Sequence, residues 1–137
     1  MSAAKTLVPI VGYLSLADGQ AQLTGQECAA CGAIFVGRRN GCARCGGSEF
    51  VDRPLAATGT IRSFTVIYRA PPPAEPPYVV VVVDHDGGGT VKGNLIGVEP
   101  NPELVPVGAA VRIVAREVGT DGRGSTGVGF AYELIAD

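Results

Sequence analysis

Cys28-Ala29-Ala30-Cys31-Gly32 and Cys42-Ala43-Arg44-Cys45-Gly46 together hold all four cysteines of this 137-residue chain. Each stretch is a C-x-x-C-G knuckle. Sulfurs at i and i+3 face one centre, and the glycine that follows permits the tight turn that aims backbone N–H groups at them. Two knuckles joined by a short hairpin give a closed tetrahedral site with Cys28, Cys31, Cys42 and Cys45 as ligands. Four protein ligands leave no open position for catalysis, so the metal is structural. Zinc is the expected ion; iron accepts the same four thiolates and is its rival. Two disulfides would need an oxidising compartment. Lys5 precedes only a short apolar stretch, broken by Pro9 and Gly12, so no secretion signal is expected and a cytoplasmic location is.

Working outward, residues 21–54 read as the ribbon. Short strands are expected at 22–27 and 33–36, with Phe50-Val51 leading out of the second knuckle and Gly37-Arg38-Arg39-Asn40-Gly41 at the hairpin tip. A unit of this size has little core, so the metal supplies most of its folding free energy. Residues 1–20 read as an extended, loosely structured arm. Its Leu7, Val8, Ile10, Val11, Tyr13, Leu14 and Leu16 show no helical period and call for burial, against this chain or a partner.

Residues 55–137 change character. Five strand-like runs follow, at 59–69, 78–85, 90–96, 110–118 and 128–135, each bounded by turn chemistry. The run Tyr78-Val-Val-Val-Val-Val83 is continuous, as in a strand covered on both faces. Asp86-Gly87-Gly88-Gly89 is a hairpin turn, residues 97–108 an irregular connection with room for one helical turn, and 119–127 a flexible loop. A long first strand and an interruption between the third and fourth match an OB-fold barrel, with a small sandwich as the alternative. The fold expected is therefore all-β, a rubredoxin-like zinc ribbon followed by a five-stranded OB-fold barrel.

Composition sets bounds. The net charge of −2 and pI near 5.3 argue against a general nucleic-acid or anionic-membrane binder. The longest apolar run is far short of the ~20 residues of a membrane helix.

The order of parts, and the residues that join them, carry a resemblance. Beside the two knuckles, Phe35 and Arg38-Arg39, the matching stretches are Gly59-Thr-Ile-Arg-Ser-Phe-Thr-Val-Ile-Tyr-Arg-Ala-Pro71, Pro77-Tyr-Val-Val80, Gly93-Asn-Leu-Ile-Gly97 and Val107-Gly108. Over residues 25–118 the chain resembles the zinc-ribbon/OB-fold family of acyl-CoA-associated proteins. It departs from the family pattern at Val36-Gly37, where proline is usual, at Phe50, where tryptophan is usual, and in lacking an N-terminal helical hairpin. The resemblance implies a non-catalytic subunit whose partner is a thiolase-fold enzyme, two copies of each, or another CoA-ester enzyme such as an aldolase or dehydratase. It also implies a coenzyme A ester as the substrate of the complex. The arm Leu7-Val-Pro-Ile-Val-Gly-Tyr-Leu-Ser-Leu16 is similar to that of small subunits of thiolases acting on aromatic acyl-CoA esters.

The chain's own residues offer little chemistry. The sole histidine, His85, stands between Asp84 and Asp86 at a glycine turn and reads as a solvated strand end. With four cysteines on metal, none remains as an acyl-transfer nucleophile. Arg38, Arg39, Arg44, Arg53, Arg62 and Arg69 are concentrated in one stretch. Arg38, Arg39 and Arg44 offset the −2 charge of a zinc tetrathiolate, and the tip pair Arg38-Arg39 can also reach phosphates or partner carboxylates. Phe64, Val66 and Tyr68 alternate on one face with Arg62. Phe64 reads as barrel core, while Arg62, Tyr68 and Arg69 are candidate contacts for CoA or a partner. Residues 119–127 match no phosphate-loop pattern. Two other functions stay open: a single-stranded nucleic-acid module, disfavoured by the charge and the few lysines and aromatics, and a rubredoxin-like electron carrier.

Overall fold

The computed structural model describes residues 6–17, 20–37, 40–72, 74–120 and 125–135. Ten strands run in chain order: β1 Thr6–Pro9, β2 Leu14–Ala17, β3 Gln20–Cys28, β4 Ile34–Val36, β5 Phe50–Pro54, β6 Thr58–Ile67, β7 Tyr78–His85, β8 Thr90–Leu95, β9 Ala110–Thr120 and β10 Ser125–Leu134. The helical turn expected between the third and fourth barrel strands is a 3₁₀ turn, Pro102–Leu104, capped by the Asn101 side chain, which accepts from Glu103 N at 3.0 Å. Among the described residues no helix is long and apolar enough to cross a membrane.

β6, β7, β8, β10 and β9 are neighbours in that order, and β9 pairs back onto β6, closing the barrel. A closed sheet has no free edge to satisfy. Inside it lie Ile61, Val79, Val81, Val83, Val91, Leu95, Val111, Ile113 and Tyr132. The five barrel strands and the ribbon expected from the sequence are those observed. The loop expected at 119–127 is shorter, because β9 extends to Thr120 and β10 begins at Ser125.

Three local expectations are corrected. β7 is not covered on both faces: Val79, Val81 and Val83 are buried, and Val80 and Val82 on the opposite face are half-buried. Arg62 does not share a face with Phe64 and Val66. Ile61 pairs with Val83 and Ser63 with Val82, leaving Arg62 as an extra, bulged residue. One inserted residue inverts the side-chain alternation beyond it, so Ile61 before the bulge and Phe64 and Val66 after it all pack on the core. The described part of the arm, residues 6–17, is not loose. β1 pairs in parallel with β10, and β2 pairs antiparallel with β3, so the N-terminus stitches barrel to ribbon. Leu14 is buried, and Val11 and Tyr13 pack beside it.

The ribbon is a sheet of β2, β3, β4 and β5. One apolar cluster runs from Leu14 and Leu23 through Leu55 into the barrel. The β7–β8 turn seats on this junction. A Cβ on Gly88 (φ 128°) would lie 2.4 Å from Ile34 Cδ1, and one on Gly89 (φ 100°) 2.8 Å from Leu55 Cδ2. Both the left-handed backbone and the close approach require glycine there. Arg53 fastens the same junction, donating to Glu27 at 2.8 Å and to Gly87 O at 3.3 Å.

Candidate metal centre

The two knuckles repeat one hydrogen-bond pattern. Gly32 N donates to Cys28 O (2.9 Å) and Cys28 N to Ala33 O (2.8 Å); Gly46 N donates to Cys42 O (2.8 Å) and Cys42 N to Gly47 O (2.7 Å). The turn closes only with a left-handed fifth residue, and Gly32 and Gly46 have φ of 80° and 78°. β3 delivers Cys28, and the β3–β5 ladder, with Cys28 opposite Phe50, holds the second knuckle against the first. Phe35 and Phe50 meet edge to face at 6.4 Å between centroids.

The four sulfurs lie within 4.8 Å of one another. Cys28 Sγ to Cys45 Sγ and Cys31 Sγ to Cys42 Sγ are both 3.6 Å. A tetrahedron with Zn–S bonds of about 2.3 Å has edges of about 3.8 Å, whereas a disulfide is about 2.05 Å. The spacing is that of four thiolates around one ion. Backbone donors face them: Arg44 N lies 3.3 Å from Cys42 Sγ, and Gly47 N 3.4 Å from Cys45 Sγ.

The thiol acidities follow. N–H groups of Cys31 and then Ala30 hold Cys28 below the usual thiol range. At Cys42 burial acts upward, but the N–H groups of Cys45 and Arg44 and the neighbouring sulfurs outweigh it, giving about 6. At Cys45 the Gly47 N–H acts downward, and the crowding of Cys28 and Cys31 outweighs it, giving about 12. Some thiols are thus prepared to ionise, while the last keeps its proton until a cation displaces it. The four cysteines are positioned to bind a metal, which when bound would supply a rigid closed tie between the knuckles and no open coordination position.

The other expected residues do not converge. Arg38 and Arg39 lie outside the described residues. Arg62 pairs with Asp84 at 3.5 Å on the surface. Tyr68, 62% exposed, follows the end of β6, and Arg69 beside it is exposed. Arg62 and Tyr68 are separated by about 20 Å of extended chain, so they do not form one small-molecule site. Asp84 and Asp86 are occupied as hairpin residues, accepting from Thr90 Oγ1 (2.8 Å) and Thr58 Oγ1 (2.6 Å).

His85 corrects another expectation. It is not solvated but 4% exposed. Nδ1 lies 2.7 Å from Ala56 O, and Nε2 lies 2.7 Å from Tyr132 Oη. A carbonyl only accepts, so Nδ1 carries the proton, and in the neutral ring Nε2 accepts from the tyrosine. Burial pushes the Tyr132 phenol up, and Tyr13 adds to the effect, so it remains a donor. The pair pins the ribbon–barrel linker to the core and reaches no open cleft. Nothing local signals it, since its partners are 29 and 47 residues away.

Comparison with known proteins agrees with this geometry. Residues 19–51 match the model described as the ChsH2 rubredoxin-like zinc ribbon domain, and residues 52–116 match that of the ChsH2 C-terminal OB-fold domain. A solved structure titled "Ltp2-ChsH2(DUF35) aldolase" superposes with a TM-score of 0.61 at 28% identity, covering 84% of this chain and 86% of that one. A DUF35 protein of unknown function from Sulfolobus solfataricus aligns at 22% identity over 78% of this chain and 75% of that one, with a TM-score of 0.45. No curated protein sequence matches. With the two domain models matched in order over residues 19–116, the chain belongs to the ChsH2 family of zinc-ribbon/OB-fold proteins.

Proposed function

We propose that this chain is a non-catalytic subunit of a heteromeric thiolase acting on an acyl-CoA. In this reading a metal, zinc, fixes the ribbon (21–54). The ribbon and the arm (1–20) dock on a thiolase-fold catalytic subunit, two copies of each, and the barrel (55–137) helps bind or gate the CoA ester. The arm's likeness supports an aromatic acyl-CoA such as 2-benzoylsuccinyl-CoA as the substrate. The observation that carries the reading is the convergence of all four cysteines on one closed cluster. No thiol is left to accept an acyl group, so the nucleophile must come from a partner.

A second reading is favoured by the neighbour titled an aldolase: the same docking role on an aldolase. The two differ in stoichiometry. Thiolysis consumes one CoA thiol per bond cleaved, and aldol cleavage consumes none.

The test is turnover of an acyl-CoA by the purified chain, alone and with the enzyme encoded beside it. No cleavage is expected from the chain alone, and CoA-dependent cleavage from the pair. Cleavage by the chain alone overturns the reading. Salt-sensitive binding of an oligonucleotide at physiological ionic strength would replace it with a nucleic-acid module.

A further inference from the structure

β10 leaves a notch in the barrel wall. β9 occupies one of its edges through most of its length. On the other edge β1 pairs with residues 125–128 and β8 with Ala131 and Tyr132. Between those two partners, Gly129 and Phe130 face no strand among the described residues. The gap is a concavity of about 270 Å³ whose lining includes Tyr13, Lys92, Asn94, Arg116, Gly129 and Phe130.

No carboxylate lines the notch; Arg116 and Asn94 also border the adjoining larger concavity, which carries Glu75 and Glu117, and Lys92 also borders a smaller one without a carboxylate. Lys92 and Arg116 are exposed, and neither is in an ion pair among the described residues, where the ion-paired arginines are Arg53, Arg62 and Arg112. Arg116 stands opposite Gly129 across the β9–β10 ladder, where no side chain intervenes. Tyr13 and Phe130, half-buried and edge to face at 6.2 Å, form an aromatic wall beside the cations. In an acidic chain, two unpaired cations and an amide around bare glycine backbone attract an anion, and a fixed ring beside them favours a planar group on that anion.

We propose that the notch between β1 and β8 binds the phosphorylated end of a nucleotide, with Arg116 and Lys92 on phosphate, Asn94 as polar contact and Tyr13 against the base. The volume, about 270 Å³, is too small to enclose a whole coenzyme, so only one end of it would occupy the notch. The nucleotide is identified as the adenosine 3′,5′-bisphosphate end of coenzyme A, and this identification rests on the acyl-CoA reading above.

Titration of the full zinc-loaded chain with adenosine 3′,5′-bisphosphate, and separately with pyrophosphate, followed by calorimetry and amide chemical shifts, tests it. The nucleotide is expected to bind more tightly than pyrophosphate and to shift amides at residues 10–13, 92–94 and 129–130. Arg116→Gln and Lys92→Gln should each weaken binding about tenfold, the loss of one charged hydrogen bond. Arg112→Gln, on the same strand but paired with Glu133, should leave binding unchanged. These exposed substitutions should keep the native unfolding midpoint. Absence of nucleotide binding at millimolar concentration, equal affinity for pyrophosphate, or equal loss in all three variants overturns the assignment. Binding here without assembly on a CoA-ester enzyme would refute the acyl-CoA reading and keep the nucleotide notch; assembly without binding would do the reverse.

Discussion

At the scale of single residues, the buried hydrogen bonds and the close glycines are where small changes cost most. Removing the Tyr132 hydroxyl leaves the buried His85 Nε2 without its partner. Tyr132→Phe should therefore lower stability by about 1–3 kcal/mol, read from the urea midpoint. An unchanged midpoint would mean that water reaches the ring. Gly88→Ala combines a left-handed backbone with a methyl directed at Ile34. A loss of about 1–3 kcal/mol is expected by the same measurement. The convergence of the four cysteines and the turn glycines after them was legible in the sequence, because a C-x-x-C-G knuckle is a local device: five consecutive residues carry its whole geometry. The His85–Tyr132 pair was not legible, since it depends on β7 and β10 meeting inside the barrel. The same reason made His85 read as solvated, as its sequence neighbours are a carboxylate pair and a glycine turn.

Among elements, the cysteine cluster and the bulge each sit where a register is set, at the β3–β5 and β6–β7 ladders. Chelation of the metal should release the β3–β5 ladder and leave β6–β10 closed. Hydrogen exchange would then show rapid loss of protection at residues 24–28 and 50–54 and retention at 79–83 and 128–132. Loss of protection throughout would mean that Leu14, Leu23 and Leu55 bind the two units into one cooperative core. Deleting Arg62 removes the bulge and turns either Ile61 or the Phe64–Val66 pair outward. The deletion is expected to abolish folding, while Arg62→Ala, which only removes a surface ion pair, should change stability by less than about 1 kcal/mol. All five barrel strands could be placed from alternation and turn residues. The bulge could not, because a strand of mixed β-branched and polar residues reads equally well with either parity. The arm's strands were missed for a related reason: its apolar residues demand burial, but their partners, β10 and β3, lie elsewhere in the chain.

For the molecule as a whole, the arm, linker and β7–β8 turn hold ribbon and barrel together through one continuous apolar cluster. A metal held by the four cysteines would therefore stabilise the placement of the ribbon relative to the barrel as well as the ribbon itself. All four thiols face one site, so none is free to accept an acyl group. The fold followed from local chemistry. The partner and substrate do not, since recognition by a surface leaves no fixed residue spacing to read. The central claim is tested most directly by co-expressing the tagged chain with the products of its neighbouring genes and measuring the mass and CoA-dependent activity of what co-purifies. A stoichiometric complex with a thiolase-fold protein, cleaving acyl-CoA only as the pair, is the predicted result. A chain that purifies alone, with the neighbouring enzyme fully active without it, would contradict the account.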